Sequence, residues 1–346
     1  MQRAQHAVVA ASSTDGSATW NHIQPIPGAF FQTADQSTDK NATTADPIND
    51  QTAYTVWDTL ILPTDNPDDN PHTAAYTGPA YFSKTIDGGQ TWSQAKVIIN
   101  TANRTQTIGN IIVVDTRNDD LYDFTDLIVQ PNTPFQGTHS NAQLAFVKST
   151  DGGSTWTQPH VIAPFNSLGV VDPNTGKPAR VGDGLEEVAM DPAILLVTSS
   201  DGGATWTGPQ DIHTAGGLPT FTPTVAVNGG RVAVTYYDSR NLQAGQTANW
   251  PTDYWVEYST DAGVTWGGEQ HIAGSFDLST ASVARGFFLG DYEGLQPSGS
   301  GFLAVFVKTN CDAPYRSKKP LCAPASSNTN PTSNTNPTDV FSAFLS

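Results

Sequence analysis

The chain has 346 residues and a net charge of −17, with 33 acidic side chains against 16 basic ones. That balance argues against a nucleic-acid partner and against an anionic membrane surface, and no apolar run approaches the roughly 20 residues of a membrane span. Charged residues make up only 14% of the chain, while 30 Gly and 24 Pro punctuate it; this is the composition of a soluble, turn-rich all-β protein.

The first strand-like run, AVVAAS, leads into Ser13-Thr14-Asp15-Gly16-Ser17-Ala18-Thr19-Trp20, and HIQPI follows. The same eight-residue unit returns as TIDGGQTW ending at Trp92, STDGGSTW at Trp156, SSDGGATW at Trp206 and STDAGVTW at Trp266. Repetition on a period of tens of residues predicts a solenoid, a propeller or an array. Strand-like segments (AYFSKT, LAFVKS, ILLVTS, YWVEYS) precede the later copies, and short strands such as KVIIN and HVIA follow, so each copy predicts a hairpin loop. The small residues after Asp suit positive φ, and Asp can accept hydrogen bonds from its own turn. The competing reading is calcium binding, but an EF-hand loop needs a carboxylate eleven residues after its first Asp. Ile26, Ile98, Ile162, Ile212 and Ile272 stand there instead. These aspartates are therefore read as structural fasteners.

Between the loops, the clearest full unit runs PTVAVN (223–228), RVAVTYYD (231–238), DYWVEYS (253–259), loop, EQHIAG (269–274). The same order is expected from Asp46 as DPIND, TAYTVWDTLIL and PAYFSKT, and from Ile108 as IGNIIVVD, LYDFTDLIVQ and AQLAFVKS. Residues 63–78 read as an irregular insertion. The fourth unit is short: VAMDP (188–192) reads as an inner strand and AILLVTSS follows at once, so about one strand is missing. The chain ends in LGDYEGL (289–295), GFLAVFVK (301–308) and DVFSAFLS (339–346), three strands with no such loop after them. Residues 1–28 and 275–346 are expected to complete one closing blade, which removes open sheet edges. Cys311 and Cys322 read either as a local disulfide or as two free thiols.

The pattern S/T-x-D-x-G-x-T-W resembles the Asp box, or BNR repeat, of sialidases and related propellers. The resemblance implies a single domain, 1–346, folded as a six-bladed β-propeller with one short blade. In that superfamily the box joins the two outer strands of a blade, away from the central pocket. A second likeness covers the C-terminal third: PTDYWVEYSTDAGVTW, SFDLSTASVARGFFLGDYEGL, KTNC and TDVFSAFL resemble secreted bacterial BNR proteins described as sialidase-like, and DPNTGKPARVGDGLEEVAMDP fits the same group. The implied function is a secreted, carbohydrate-active protein, an exo-glycosidase on acidic glycans. It would be monomeric, with a glycan or glycoconjugate as partner and with no cofactor, metal, nucleic acid or membrane. The alternative is a non-catalytic propeller that binds glycans or proteins. MQRAQHAVVAASSTDG lacks the apolar core of a signal peptide, so the extracellular expectation rests on composition and family.

Sialidases use an arginine triad for the substrate carboxylate, a Tyr nucleophile paired with Glu, and an Asp acid/base. The early F/Y-R-I-P motif that usually carries the first of those arginines has no match here; Arg3 lies in a polar leader. Site residues are therefore read from position. Inner-strand ends carry Asp46, Asn110, Glu186, Glu187, Asp191, Asp291, Tyr292 and Glu293. The densest group is Arg285 with Asp291-Tyr292-Glu293. Tyr292, Glu293 and Asp291 are the candidate catalytic residues, since a Tyr beside carboxylates suits an activated nucleophile or a sugar platform. The plainer reading of the same stretch is a structural strand start. Arg285, Arg240 and Arg180 are the candidate substrate-binding residues. Arg240 in YYDSR and Arg180 with Asp183 read equally as loop ion pairs. The seven His show no metal-type spacing, and DNPDDN (65–70) reads as a solvated acidic loop with calcium as its alternative. Trp57, Trp250 and Trp255 read as a sugar shelf or as packing between blades.

Overall fold

The computed structural model describes residues 6–31, 35–63, 76–129, 142–165, 169–181, 194–213, 219–310 and 337–346. The inner strand VAMDP, Arg3, Glu186, Glu187, Asp191, Asp183, Arg316, the 65–70 loop and both cysteines lie outside them. The described residues are all-β apart from one 3-10 turn, Leu278–Thr280, and no helix is long and apolar enough to cross a membrane. They form two compact units: Met1–Ser167 with Gly184–Glu186, and Leu168–Asp183 with Glu187–Ser346.

In the first unit, β1 (His6–Ser12) and β2 (Asn21–Phe31) form a hairpin. A nine-stranded sheet holds β3 (Gln36–Ala45), β4 (Ala53–Ile61), β5 (Thr77–Gly78), β6 (Ala80–Thr85), β7 (Lys96–Ile99), β8 (Thr105–Asp115), β9 (Asp120–Val129), β10 (Ala142–Ser149) and β11 (His160–Phe165). It is two antiparallel meanders, β3-β4-β6-β7 and β8-β9-β10-β11, joined through β5, which pairs antiparallel with β4 and parallel with β8. Tyr54, Val56 and Phe82 of the first meander pack against Ile112, Leu121 and Val147 of the second. Trp57, on the opposite face of β4, packs with Val8, Ile26 and Ala29 of the hairpin.

The first strand of the first meander is Gln36–Ala45, not DPIND. Asp46 instead closes a turn: its Oδ1 accepts the N–H groups of Ile48 and Asn49, and its Oδ2 accepts the Tyr54 hydroxyl at 2.6 Å. Asp carboxylates favour such local bonds over a ladder.

In the second unit, β12 (Val170–Val171), β13 (Pro178–Arg180), β20 (Ser282–Val283) and β21 (Phe287–Phe288) form a small mixed sheet. β14 (Leu195–Thr198) and β15 (Thr207–Asp211) form a two-stranded hairpin. β16 (Thr220–Asn228), β17 (Arg231–Asp238), β18 (Pro251–Ser259) and β19 (Gly267–Asp277) form a complete antiparallel meander, as the sequence predicts. β22 (Gly294–Ser298), β23 (Gly301–Thr309) and β24 (Thr338–Leu345) form a three-stranded sheet. The GDYE of LGDYEGL thus precedes the strand rather than forming it. A large aromatic core of Phe221, Tyr237, Tyr254, Phe276, Phe302 and Phe306 lies between these sheets. Trp57 and Trp250 are fully buried, which makes them packing residues.

All five repeated loops share one hydrogen-bond scheme. The Ser or Thr hydroxyl two residues before Asp donates to Asp Oδ1, the Thr N–H four residues after it donates to Oδ1, and that Thr hydroxyl donates to Oδ2 at 2.6 Å. The two residues after each Asp have positive φ, as at Gly152 (63°) and Gly153 (86°). The bonds from the Thr hydroxyl and N–H hold each Asp carboxyl well below its usual range, at about 2. These aspartates are spent on their own turns.

Candidate functional site

The small mixed sheet of the second unit positions the most accessible of the expected site residues. β13 runs parallel to β21, which sets Arg180 opposite Phe288. The Arg180 guanidinium lies over the Phe288 ring at 4.5 Å, and its Nη2 meets Asp291 Oδ2 at 3.3 Å. The sheet needs glycine at 286, because a Cβ there would come within 2.8 Å of the Arg180 nitrogen. Arg285, just before it, is exposed and takes a left-handed φ of 66°. Arg180 keeps 39% of its side chain exposed and Tyr292 is 46% exposed. A cation stacked on an aromatic ring and touching Asp291, whose next residue is the exposed Tyr292, is a surface that can take an acidic, partly apolar ligand.

Glu293 faces elsewhere. It is buried, and the hydroxyl of the fully buried Tyr237 donates to its Oε1 at 2.7 Å. The Tyr237 oxygen also accepts the Val307 N–H at 3.0 Å, which ties Glu293 to β23. Tyr237 is held well above the usual phenol range, first by burial and then by the Glu293 charge.

Arg240 belongs to a different group on the four-stranded sheet. Its Nε donates to Asp238 Oδ2 at 2.6 Å, and Nη1 and Nη2 donate to the two oxygens of Glu269 at 2.7 and 2.8 Å. The guanidinium also stacks on Trp255 at 3.7 Å. Trp255 in turn meets the His271 ring at a tilt of 54° and donates to Asp238, so it packs rather than offering a sugar shelf. The Tyr236 hydroxyl donates to Glu269 at 2.5 Å, and His213 Nε2 lies 3.2 Å from Asp238 Oδ2, both His213 and Asp238 being fully buried side chains. The described residues of the second unit thus include two Tyr–Glu pairs, Tyr236–Glu269 and Tyr237–Glu293, and both tyrosines are 0% exposed.

Reading by position missed the buried carboxylates. Asp58, Asp123 and Asp126 in the first unit are 6%, 0% and 0% exposed, and oxygens on all three have no hydrogen-bond partner among the described residues. Burial lifts each of these carboxyls well above the usual range; the charge of Asp39 adds to this at Asp58, and that of Asp58 adds to it at Asp123. In the second unit Glu257 is 1% exposed, and neither oxygen has a hydrogen-bond partner among the described residues. Burial first, then the Glu269 charge, raises its carboxyl to about 7. The one available signal was an acidic residue inside an otherwise apolar strand run, as in YWVEYS and DFTDLIV.

No protein-family model matches the chain, and no curated protein matches its sequence. Among solved structures it is similar to the NanB sialidase from Streptococcus pneumoniae, at 10% identity and a TM-score of 0.49, over 85% of this chain and 59% of that one. It is also similar to a Hadza microbial sialidase, at 14% identity and a TM-score of 0.38, over 78% of this chain and 63% of that one. The intramolecular trans-sialidase from Ruminococcus gnavus matches at 12% identity and a TM-score of 0.45, over 81% of this chain and 79% of that one. The chain spans less than two thirds of the length of the first two. Several structures similar to this chain are sialidases, and another is a glycoside hydrolase.

Proposed function

We propose that this chain is a sialidase-like six-bladed β-propeller, with one short blade and its terminal strands in the closing blade, and that it is a secreted protein that recognises acidic glycans. The repeat supports the propeller: in all three complete meanders the Asp-Thr-Trp loop joins the third and fourth strands, as an Asp box does. The observation that carries the function is the surface formed by Arg180, Phe288, Asp291 and Tyr292. Arg180 Nη2 takes the Asp291 contact, and a guanidinium has four further N–H donors for an incoming carboxylate. Arg285 adds positive charge on the same small sheet.

Two readings of this surface differ in chemistry. In the hydrolytic one, Tyr292 attacks the sugar with Glu293 as its base and Asp291 as acid/base. The burial of Glu293 against Tyr237 favours the second, in which the chain binds an acidic glycan without cleaving it. Titration of sialyllactose and of uncharged lactose, alongside release from a fluorogenic sialoside, separates them. The expected result is binding of the acidic sugar only, weakened about tenfold or more by Arg180→Ala, with no release. Release that is lost in Tyr292→Phe and Glu293→Gln would restore the hydrolytic reading. Equal affinity for both sugars, or no binding, would remove acidic-glycan recognition.

A further inference from the structure

The hairpin of β14 and β15 packs on the strand face that carries Glu257, whose carboxyl has no hydrogen-bond partner among the described residues. Glu257 sits on β18 opposite Val234 of β17, and it shares a strand face with Trp255, two residues away. That face packs with Ile194, Leu196 and Ile212 of the hairpin, together with Tyr236 and Trp266. The hairpin is otherwise lightly held. Ile194 and Ile212 are buried, whereas β14 is half-exposed or exposed and all of β15 is exposed. Leu196 packs on the edge of that cluster, and a Cβ added at Gly263 of the next loop would lie 3.7 and 3.5 Å from the Leu196 and Thr198 side chains. An element with few buried apolar contacts opens locally at low free-energy cost.

The charges around Glu257 come from every neighbouring element. The hairpin side contributes His213, β17 and the turn after it contribute Tyr236, Asp238 and Arg240, and β19 contributes Glu269. On β18 itself, Asp253 is bonded to His271 of β19. Arg240 is engaged by Asp238 and Glu269, and the repulsion of Glu269 outlasts that pairing at Glu257. An ionised carboxylate in this place would be buried without a hydrogen bond, which is costly, while a protonated one is tolerated.

We infer that Glu257 is a pH-operated latch for the hairpin 194–212: the hairpin stays down while the carboxyl holds its proton and lifts as the carboxyl ionises. On lifting, the O–H proton passes to water and the carboxylate becomes hydrated. The closed-state carboxyl is raised to about 7, against an ordinary glutamate value near 4.3 once hydrated. The contribution to closure is therefore complete below the ordinary value. It declines as pH rises and is gone above about 7.

Hydrogen exchange on the whole chain, corrected for intrinsic exchange rates, tests this. Between pH 5 and pH 8 the protection of amides 194–212 is expected to fall roughly 10- to 100-fold, while that of β17 holds. Glu257→Gln, a neutral side chain of the same shape, should give equal protection at both pH values. His213 is the other ionisable group that faces Glu257 from the hairpin side, so His213→Gln is the control and should keep the wild-type fall. Equal protection in the wild type, or a fall that persists in Glu257→Gln and disappears in His213→Gln, overturns the latch. If Glu257→Gln does not fold, Glu257→Met with the same readout serves in its place.

Discussion

Single side chains in this protein are assigned by what their polar atoms touch. The five loop aspartates use both carboxylate oxygens on their own turn, and their first role is to hold it. Tyr237 is the buried counterpart: its hydroxyl meets Glu293, and it accepts the Val307 N–H. Tyr237→Phe keeps the ring packing and strands both partners. It should lower unfolding stability by about 1–3 kcal/mol; urea denaturation would show a lower midpoint with an unchanged slope. An unshifted midpoint would mean that Glu293 finds another partner without cost. Residue type alone suggested Tyr292 as the partner of Glu293, because the two are adjacent. The fold sends one outward and the other inward, and adjacency carried no information about that.

Elements were legible where their own residues decide them. Each loop carries its turn geometry, its acceptor and its Trp within eight positions, so every hairpin that it closes could be read locally. RVAVTYYD and DYWVEYS combine β-branched and aromatic residues, and they form β17 and β18 where expected. β3 was not legible. QSTDKNATTA alternates half-buried and exposed positions without an apolar signal, and its place comes from pairing with β4, a tertiary fact. The Arg240 network was likewise hidden, since Glu269 and His213 reach it from separate elements. The element-level prediction concerns Gly153. Its φ is 86°, and an added Cβ would fall 2.5 Å from the Phe82 ring of the neighbouring meander. Gly153→Ala should cost about 1–2 kcal/mol from the backbone alone and more from displacing Phe82, seen as a lowered thermal midpoint. Wild-type stability in that variant would mean that the loop does not fix the spacing between these two meanders.

For the whole molecule, the proposed function turns on where positive charge stays accessible in a strongly acidic chain. With 33 acidic side chains against 16 basic ones, long-range steering repels an acidic glycan, and recognition has to be local. Arg240 is engaged by Asp238 and Glu269, and Arg117 is paired with Asp115. Arg180, half-exposed, stacked on Phe288 and touching Asp291, is the arginine that the proposed function sets against the ligand. The most direct test is a crystal structure of the chain soaked with sialyllactose. The account predicts the sugar carboxylate against the Arg180 guanidinium with the ring beside Tyr292. A sugar ordered against other residues, or absent at saturating concentration, would contradict it.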